Sequence, residues 1–164
     1  MNEIINKLYT IGVYGSTEDS FFDALIQNKI TVFCDIRARR GLRGKKYAYA
    51  NSMYLQQKLA QLNITYRHFK GLSPSIELRD EQARHDKENK IARRDRQVLG
   101  NVFTDGYRQD VLDDFDVFQF LHEFKADDNI VLFCVEKEPT VCHRSLLAQK
   151  ISDVATVMIE HIIP

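Results

Sequence analysis

The sequence is poor in the residues that mark secreted, fibrous or unstructured chains. Its 164 residues include three cysteines, three prolines and seven glycines. An odd number of cysteines in a chain long enough to build a hydrophobic core gives no disulfide framework; reduced thiols and a cytoplasmic location are the expectation. The few prolines and glycines form no low-complexity segment, linker or internal repeat, so the chain reads as one domain over residues 1–164. No apolar run approaches membrane-spanning length. The start, MNEIINKLYTIGVYG, lacks the basic head and cleavage site of a signal peptide. There is also no excess charge of either sign: 23 basic residues balance 23 acidic ones. No bulk field therefore draws the molecule to nucleic acid or membrane.

What is present is ordinary globular material, 44% hydrophobic and 28% charged. The charge is unevenly placed. Arg37, Arg39, Arg40, Arg43, Lys45 and Lys46 crowd a stretch without acidic residues, whereas Asp105 to Asp128 is mainly acidic. Buried-strand patterns occur at Leu8–Val13, Ile30–Ile36, Ile64–Phe69, Asn129–Val135 and Val154–Ile159. Amphipathic helical patterns alternate with them. Ser16 or Thr17 can cap the first helix, Asn51 the second and Thr140 the last. A continuous helix is expected from about Gly106 to Phe124. Residues 77–97, with interleaved charges and few apolar positions, read as an exposed helix or excursion.

This alternation predicts an α/β fold: a single three-layer domain with a mainly parallel sheet of about five strands and helices on both faces. In such sheets ligands bind outside the carboxyl ends of the strands. Ser16, Asp35 with Arg37, His68, Glu136 and His161 all fall at such ends.

The strongest chemical signal is Phe133-Cys-Val-Glu-Lys-Glu-Pro-Thr-Val-Cys-His-Arg-Ser145. With Thr140 as cap, Cys142 lies in the first helical turn, where free amides and the helix dipole favour a thiolate. The same helix start, with Arg144, suits an anion. Cys142 is thus either a nucleophile or the neighbour of an anion cradle. Glu136 is placed to orient His143 or to move a proton. Metal binding by Cys142 and His143, joined by Cys134 and by His68 or Glu136, is a rival reading. The close ligand pairs of zinc sites are missing and Cys134 sits within a strand, so no residue is assigned to a metal. A phosphatase or sulfurtransferase cradle is excluded, because the loop from Cys134 to Arg144 is too long and has no glycine. No cofactor is expected.

Asp35 and Arg37 form either an ion pair or part of a site. The basic residues Arg39, Arg40, Arg43, Lys45 and Lys46, interleaved with Tyr47 and Tyr49, suit a phosphate backbone and a stacked base, or a solvated loop.

These residues resemble a bacterial and archaeal family catalogued as domain of unknown function 488. The likeness is carried by Tyr9-Thr-Ile-Gly12, Asp35-Ile-Arg37, Ile64-Thr-Tyr-Arg-His68, Cys134-Val-Glu136, Cys142-His-Arg144 and Glu160-His-Ile162. It implies a small α/β domain suspected of being an enzyme. It marks Asp35, Arg37, Tyr66, His68, Glu136, Cys142, His143, Arg144 and His161. The basic stretch after Arg37 and the segment from Arg79 to Arg96 depart from the family pattern.

The expected function is an enzyme acting on an anionic, phosphate-bearing substrate such as a nucleotide or nucleic acid. Glu136, Cys142 and His143 carry the chemistry. Ser16, Asp35, Arg37, Tyr66, His68, Arg144 and His161 bind the substrate, and the basic loop meets any nucleic acid. The alternatives are a non-catalytic nucleic-acid or anion-binding module and a metal-binding protein.

Overall fold

A computed structural model describes residues 3–92 and 100–164. Five parallel strands form one sheet: β1 (Lys7–Ile11), β2 (Val32–Asp35), β3 (Thr65–His68), β4 (Ile130–Phe133) and β5 (Met158–Ile162). Their spatial order is β3-β2-β4-β1-β5. The central strands β2 and β4 are buried at every position, which is why their sequences are continuous β-branched and aromatic runs rather than alternating ones. This is the α/β architecture that the alternating patterns predict.

Helices α1 (Glu18–Gln27) and α2 (Ser52–Gln61) link the first three strands. They lie side by side: Tyr54 donates to Glu18, and the Lys58 ammonium sits over the Phe22 ring. The return to β4 passes through α3 (Ile76–Glu88), α4 (Asn101–Tyr107), a π-helical turn (Arg108–Leu112) and α5 (Val117–Leu121). Both α4 and α5 pack on α6 (His143–Ala155), which leads into β5. Right-handed crossovers outward to β3 and then back toward β5 put the two helix groups on opposite faces. No described helix is long and apolar enough to cross a membrane.

Several local expectations are corrected. The pattern read as one helix from Gly106 to Phe124 is broken by the π turn and by a new start at Asp116, whose carboxylate caps α5 through Gln119 N–H. Thr17 caps α1 in a reciprocal pair with Ser20. Asn51 stands at the start of α2, but its side chain accepts from Leu42 N–H instead. Helix α6 continues through Ala155 and ends at Thr156 in the left-handed conformation, so the last strand begins four residues later than Val154. The charged segment is a helix as far as Glu88, with Leu78, Gln82 and Asp86 turned inward at four-residue spacing. It docks closely on α4: a β-carbon on Gly106 would come within 2.3 Å of Leu78 Cδ2. The end of that segment, residues 93–97, lies outside the described residues.

The loops after the neighbouring strands β2 and β4 lead away in opposite directions, α2 toward β3 and α6 toward β5. That reversal is a topological switch point, where open α/β sheets leave a crevice at their carboxyl edge. Asp35, Arg37, Cys134 and Glu136 all stand at it.

Candidate functional site

The end of β2 carries a buried ion pair. Arg37 donates through Nε to Asp35 Oδ1 at 2.9 Å and through Nη2 to Oδ2 at 2.8 Å, while its backbone N–H donates to Oδ1 at 3.1 Å. Tyr66 Oη adds a fourth donor to Asp35 Oδ2 at 2.7 Å. The guanidinium lies 4.7 Å from the centre of the Phe133 ring. His68 Nε2 is 2.7 Å from Arg37 O; a carbonyl only accepts, so this nitrogen carries the proton. Arg37 is therefore held by Asp35, by the Phe133 ring and, through its carbonyl, by His68; among the described residues its Nη1 has no hydrogen-bond partner, and Arg37 lines a cavity.

The end of β4 runs on past the sheet. Val13 and Tyr14 N–H groups both donate to Val135 O, and Gly12 lets this segment approach. A β-carbon on Gly12 would lie 1.8 Å from Glu136 O, so only glycine admits the contact. Arg144, wholly buried, reaches back from α6 and donates to Glu136 O at 2.6 Å and Lys137 O at 3.1 Å. The strand-to-helix loop is thus held by backbone closure on one side and a guanidinium on the other.

Cys142 is itself the cap residue of α6, because Pro139 starts a separate 3-10 turn through Val141 that contains Thr140. This corrects the expectation that Thr140 caps the helix. His143 Nε2 lies 3.0 Å from Ile36 O and so holds the proton. Nδ1 is left to face Cys142 Sγ at 3.7 Å. The Tyr107 ring meets the imidazole edge-on at 5.4 Å between centres. Cys134 joins the group: the two sulfurs and a His143 nitrogen all lie within 4.8 Å of one another. Burial works against a Cys142 thiolate. The Cys134 thiol donating to it, the adjacent His143 and the charge of Arg144 outweigh that cost, so Cys142 ionises well below the usual thiol range. Cys134 is held well above it, first by giving its proton to Cys142 and then by burial.

These groups face one cavity of about 670 Å³ at the switch point. Cys134, Glu136, Cys142 and His143 form one side. Arg37, Arg39, Arg43 and Arg79 bring positive charge, with Tyr14 and Tyr47 among the remaining walls. The volume suits a small-molecule ligand.

Of the residues expected from sequence, the fold brings Arg37, Arg39, Arg43, Glu136, Cys142 and His143 to the cavity. Others do not line it. Asp35, Tyr66 and His68 stand behind Arg37 as its supports. Arg144 was expected at the anion, but its Nη1 and Nη2 donate to backbone carbonyls. The Ser16 hydroxyl is bonded to Val13 O and Tyr49 Oη. His161 is exposed and pairs with Thr10 through Nδ1 at 2.6 Å across β1 and β5. Arg40 donates to Tyr66 Oη, and Lys45 and Lys46 are exposed on the basic loop. Arg79 and Cys134 were missed as cavity residues. Arg79 is one charge among many on α3, whereas the eight-residue spacing of Cys134 and Cys142 across a strand end and a helix start is a usable signal.

Comparison with family models matches residues 17–151 to the family described as Domain of unknown function DUF488. The chain belongs to this family. The matched span of DUF488 contains Asp35, Arg37, Tyr66, His68, Glu136 and Cys142 to Arg144; the resemblance seen around Tyr9–Gly12 and Glu160–Ile162 lies outside it. No curated protein and no solved structure matches the chain significantly.

Proposed function

We propose that the protein is an enzyme acting on a phosphate-bearing anion, a nucleotide or nucleic acid, in the switch-point cavity. The observation that carries this reading is the Cys142–His143 pair on an arginine-lined cavity, with the imidazole tautomer held by Ile36 O. A nucleophile beside a base that a third group orients is the general arrangement for covalent catalysis. Arg37, Arg39, Arg43 and Arg79 line the cavity and neutralise the anion. Cys142 Sγ bonds to the electrophilic centre as the leaving group departs. His143 or Glu136 transfers the proton that the leaving group gains. Water then releases the product and restores the thiol.

The test is a turnover screen of nucleotides, phosphate esters and short oligonucleotides with the wild-type chain and the Glu136→Gln and Cys142→Ser variants. Loss of a general acid–base group lowers turnover by about 100- to 10,000-fold while binding is kept. The exposed side chains of Lys45 and Lys46 favour a second reading, a non-catalytic module for nucleic acid. In that case the variants turn over nothing, and affinity alone changes, falling steeply with salt.

A further inference from the structure

We infer that Cys134, Cys142 and His143 form a binding site for one thiophilic cation of the zinc type. The inference does not rest on the proposed activity. It follows from the donor set and its dimensions.

The three side chains come from two elements that the fold fixes independently. Cys134 follows β4, and Cys142 and His143 open α6. All are buried, at 5%, 2% and 5% exposure, yet all line the cavity, so an ion has a route in. Zinc bonds of about 2.3 Å to sulfur and 2.0 Å to nitrogen, at tetrahedral angles, put sulfur and nitrogen about 3.5 Å apart and two sulfurs about 3.8 Å apart. Cys142 Sγ and His143 Nδ1 are already 3.7 Å apart. No pair in the group exceeds 4.8 Å, so side-chain closure of about 1 Å completes the face.

The imidazole is prepared for this role. Its Nε2–H is given to Ile36 O, which leaves the Nδ1 lone pair toward the sulfurs. Metal-bound histidines characteristically donate their distal N–H to a carbonyl or carboxylate in this way. Two sulfurs and one imidazole prefer zinc and similar soft or borderline ions to magnesium or calcium. Three protein donors leave a fourth position toward the cavity for water or an anion. An ion there occupies Cys142 Sγ, so metal loading and alkylation of Cys142 exclude each other. Cys34 lies within β2, outside the cluster, and is a natural control.

The experiment titrates the reduced, chelator-stripped full chain with Co²⁺ alone and then with Zn²⁺. The expected result is one Co²⁺ per chain, with intense thiolate-to-cobalt absorption that Zn²⁺ removes. Zn²⁺ should also block labelling of Cys142. Cys134→Ala and Cys142→Ala should weaken binding by at least about 100-fold, the upper range for losing a mere supporting group, and Cys34→Ala should leave it unchanged. Circular dichroism identifies any variant that fails to fold, and protection of Cys142 in the wild-type chain then carries the test. Absence of thiolate absorption, unprotected Cys142, or binding that survives in folded Cys134→Ala and Cys142→Ala overturns the site. A chain that turns over phosphate substrates but binds no Co²⁺ refutes this inference alone. A chain that binds Co²⁺ and turns over nothing leaves it standing and refutes only the proposed enzyme.

Discussion

Asp35→Ala should destabilise this domain severely, and its cost can be worked from the ion pair it breaks. The side chains of Arg37 and Asp35 are 3% and 0% exposed. Removing Asp35 leaves the guanidinium without its counter-charge and without two side-chain acceptors, and leaves the Tyr66 O–H without its acceptor. Breaking a buried pair from one side costs about 3–5 kcal/mol. A 164-residue chain unfolds with an entropy of about 0.34 kcal/mol/K at roughly 2.1 cal/mol/K per residue. The melting temperature should therefore fall by about 9–15 °C. Asp35→Asn keeps an acceptor and isolates the charge. Replacing both partners, Asp35→Ala with Arg37→Met, should recover part of the loss, because no unpaired charge is left buried, while the Tyr66 O–H still lacks its acceptor. Calorimetry with urea unfolding of the wild type, Asp35→Ala, Arg37→Met and the double variant completes a double-mutant cycle. A fall below about 3 °C for Asp35→Ala, or simple additivity of the two single changes, refutes the view that Asp35 exists to hold Arg37.

Two further outcomes follow from the other side of the cavity. Cys142 is ionised below the usual thiol range, so in metal-free buffer its alkylation rate should persist well below pH 8.5, where a free cysteine is half protonated. Peptide mass spectrometry should find Cys34 and Cys134 unlabelled under the same conditions, since both are pushed up; an ordinary profile for Cys142 would make it a packing residue. Gly12→Ala should cost at least about 1–3 kcal/mol by overpacking against Glu136 O and should alter that labelling profile, whereas Gly41→Ala, with nothing within 4 Å, should stay within about 0.5 kcal/mol of wild type. Equal stability of the two variants in urea unfolding would show that the 134–136 segment yields to Gly12.

How much of this was legible in the sequence depended on whether a residue's role was local. Ile30–Ile36 and Asn129–Val135 are buried on both faces, and their apolar runs say so without any partner. Cys142 at a helix start was legible for the same reason, although the capping preference of Thr140 pointed to the wrong residue. Pro139 sets a separate turn, and that geometry outweighs propensity. Arg144 was misread because its partners are backbone carbonyls of Glu136 and Lys137, which no sequence pattern displays. Asp35 and Arg37 were recognised as a pair, but the alternation of a strand end cannot tell a substrate-binding arginine from a clamped one. In the fold the clamp is plain: Nε and Nη2 are taken by Asp35, and among the described residues Nη1 has no hydrogen-bond partner.

The same division explains the thiols. Within a strand, Cys134 reads as a small hydrophobe, and its chemistry arises only because the switch point brings the end of β4 against the cap of α6. A pocket built this way has its Cys142 side set by backbone closure at Gly12 and by Arg144, and its Arg37 side set by Asp35. Neither wall depends on the residues that differ from the family pattern. Arg39 and Arg43, on the basic loop, and Arg79, on α3, do belong to those segments and reach into the same cavity. On the proposed function, substitutions there should change which anion is preferred while leaving the Cys142–His143 geometry intact.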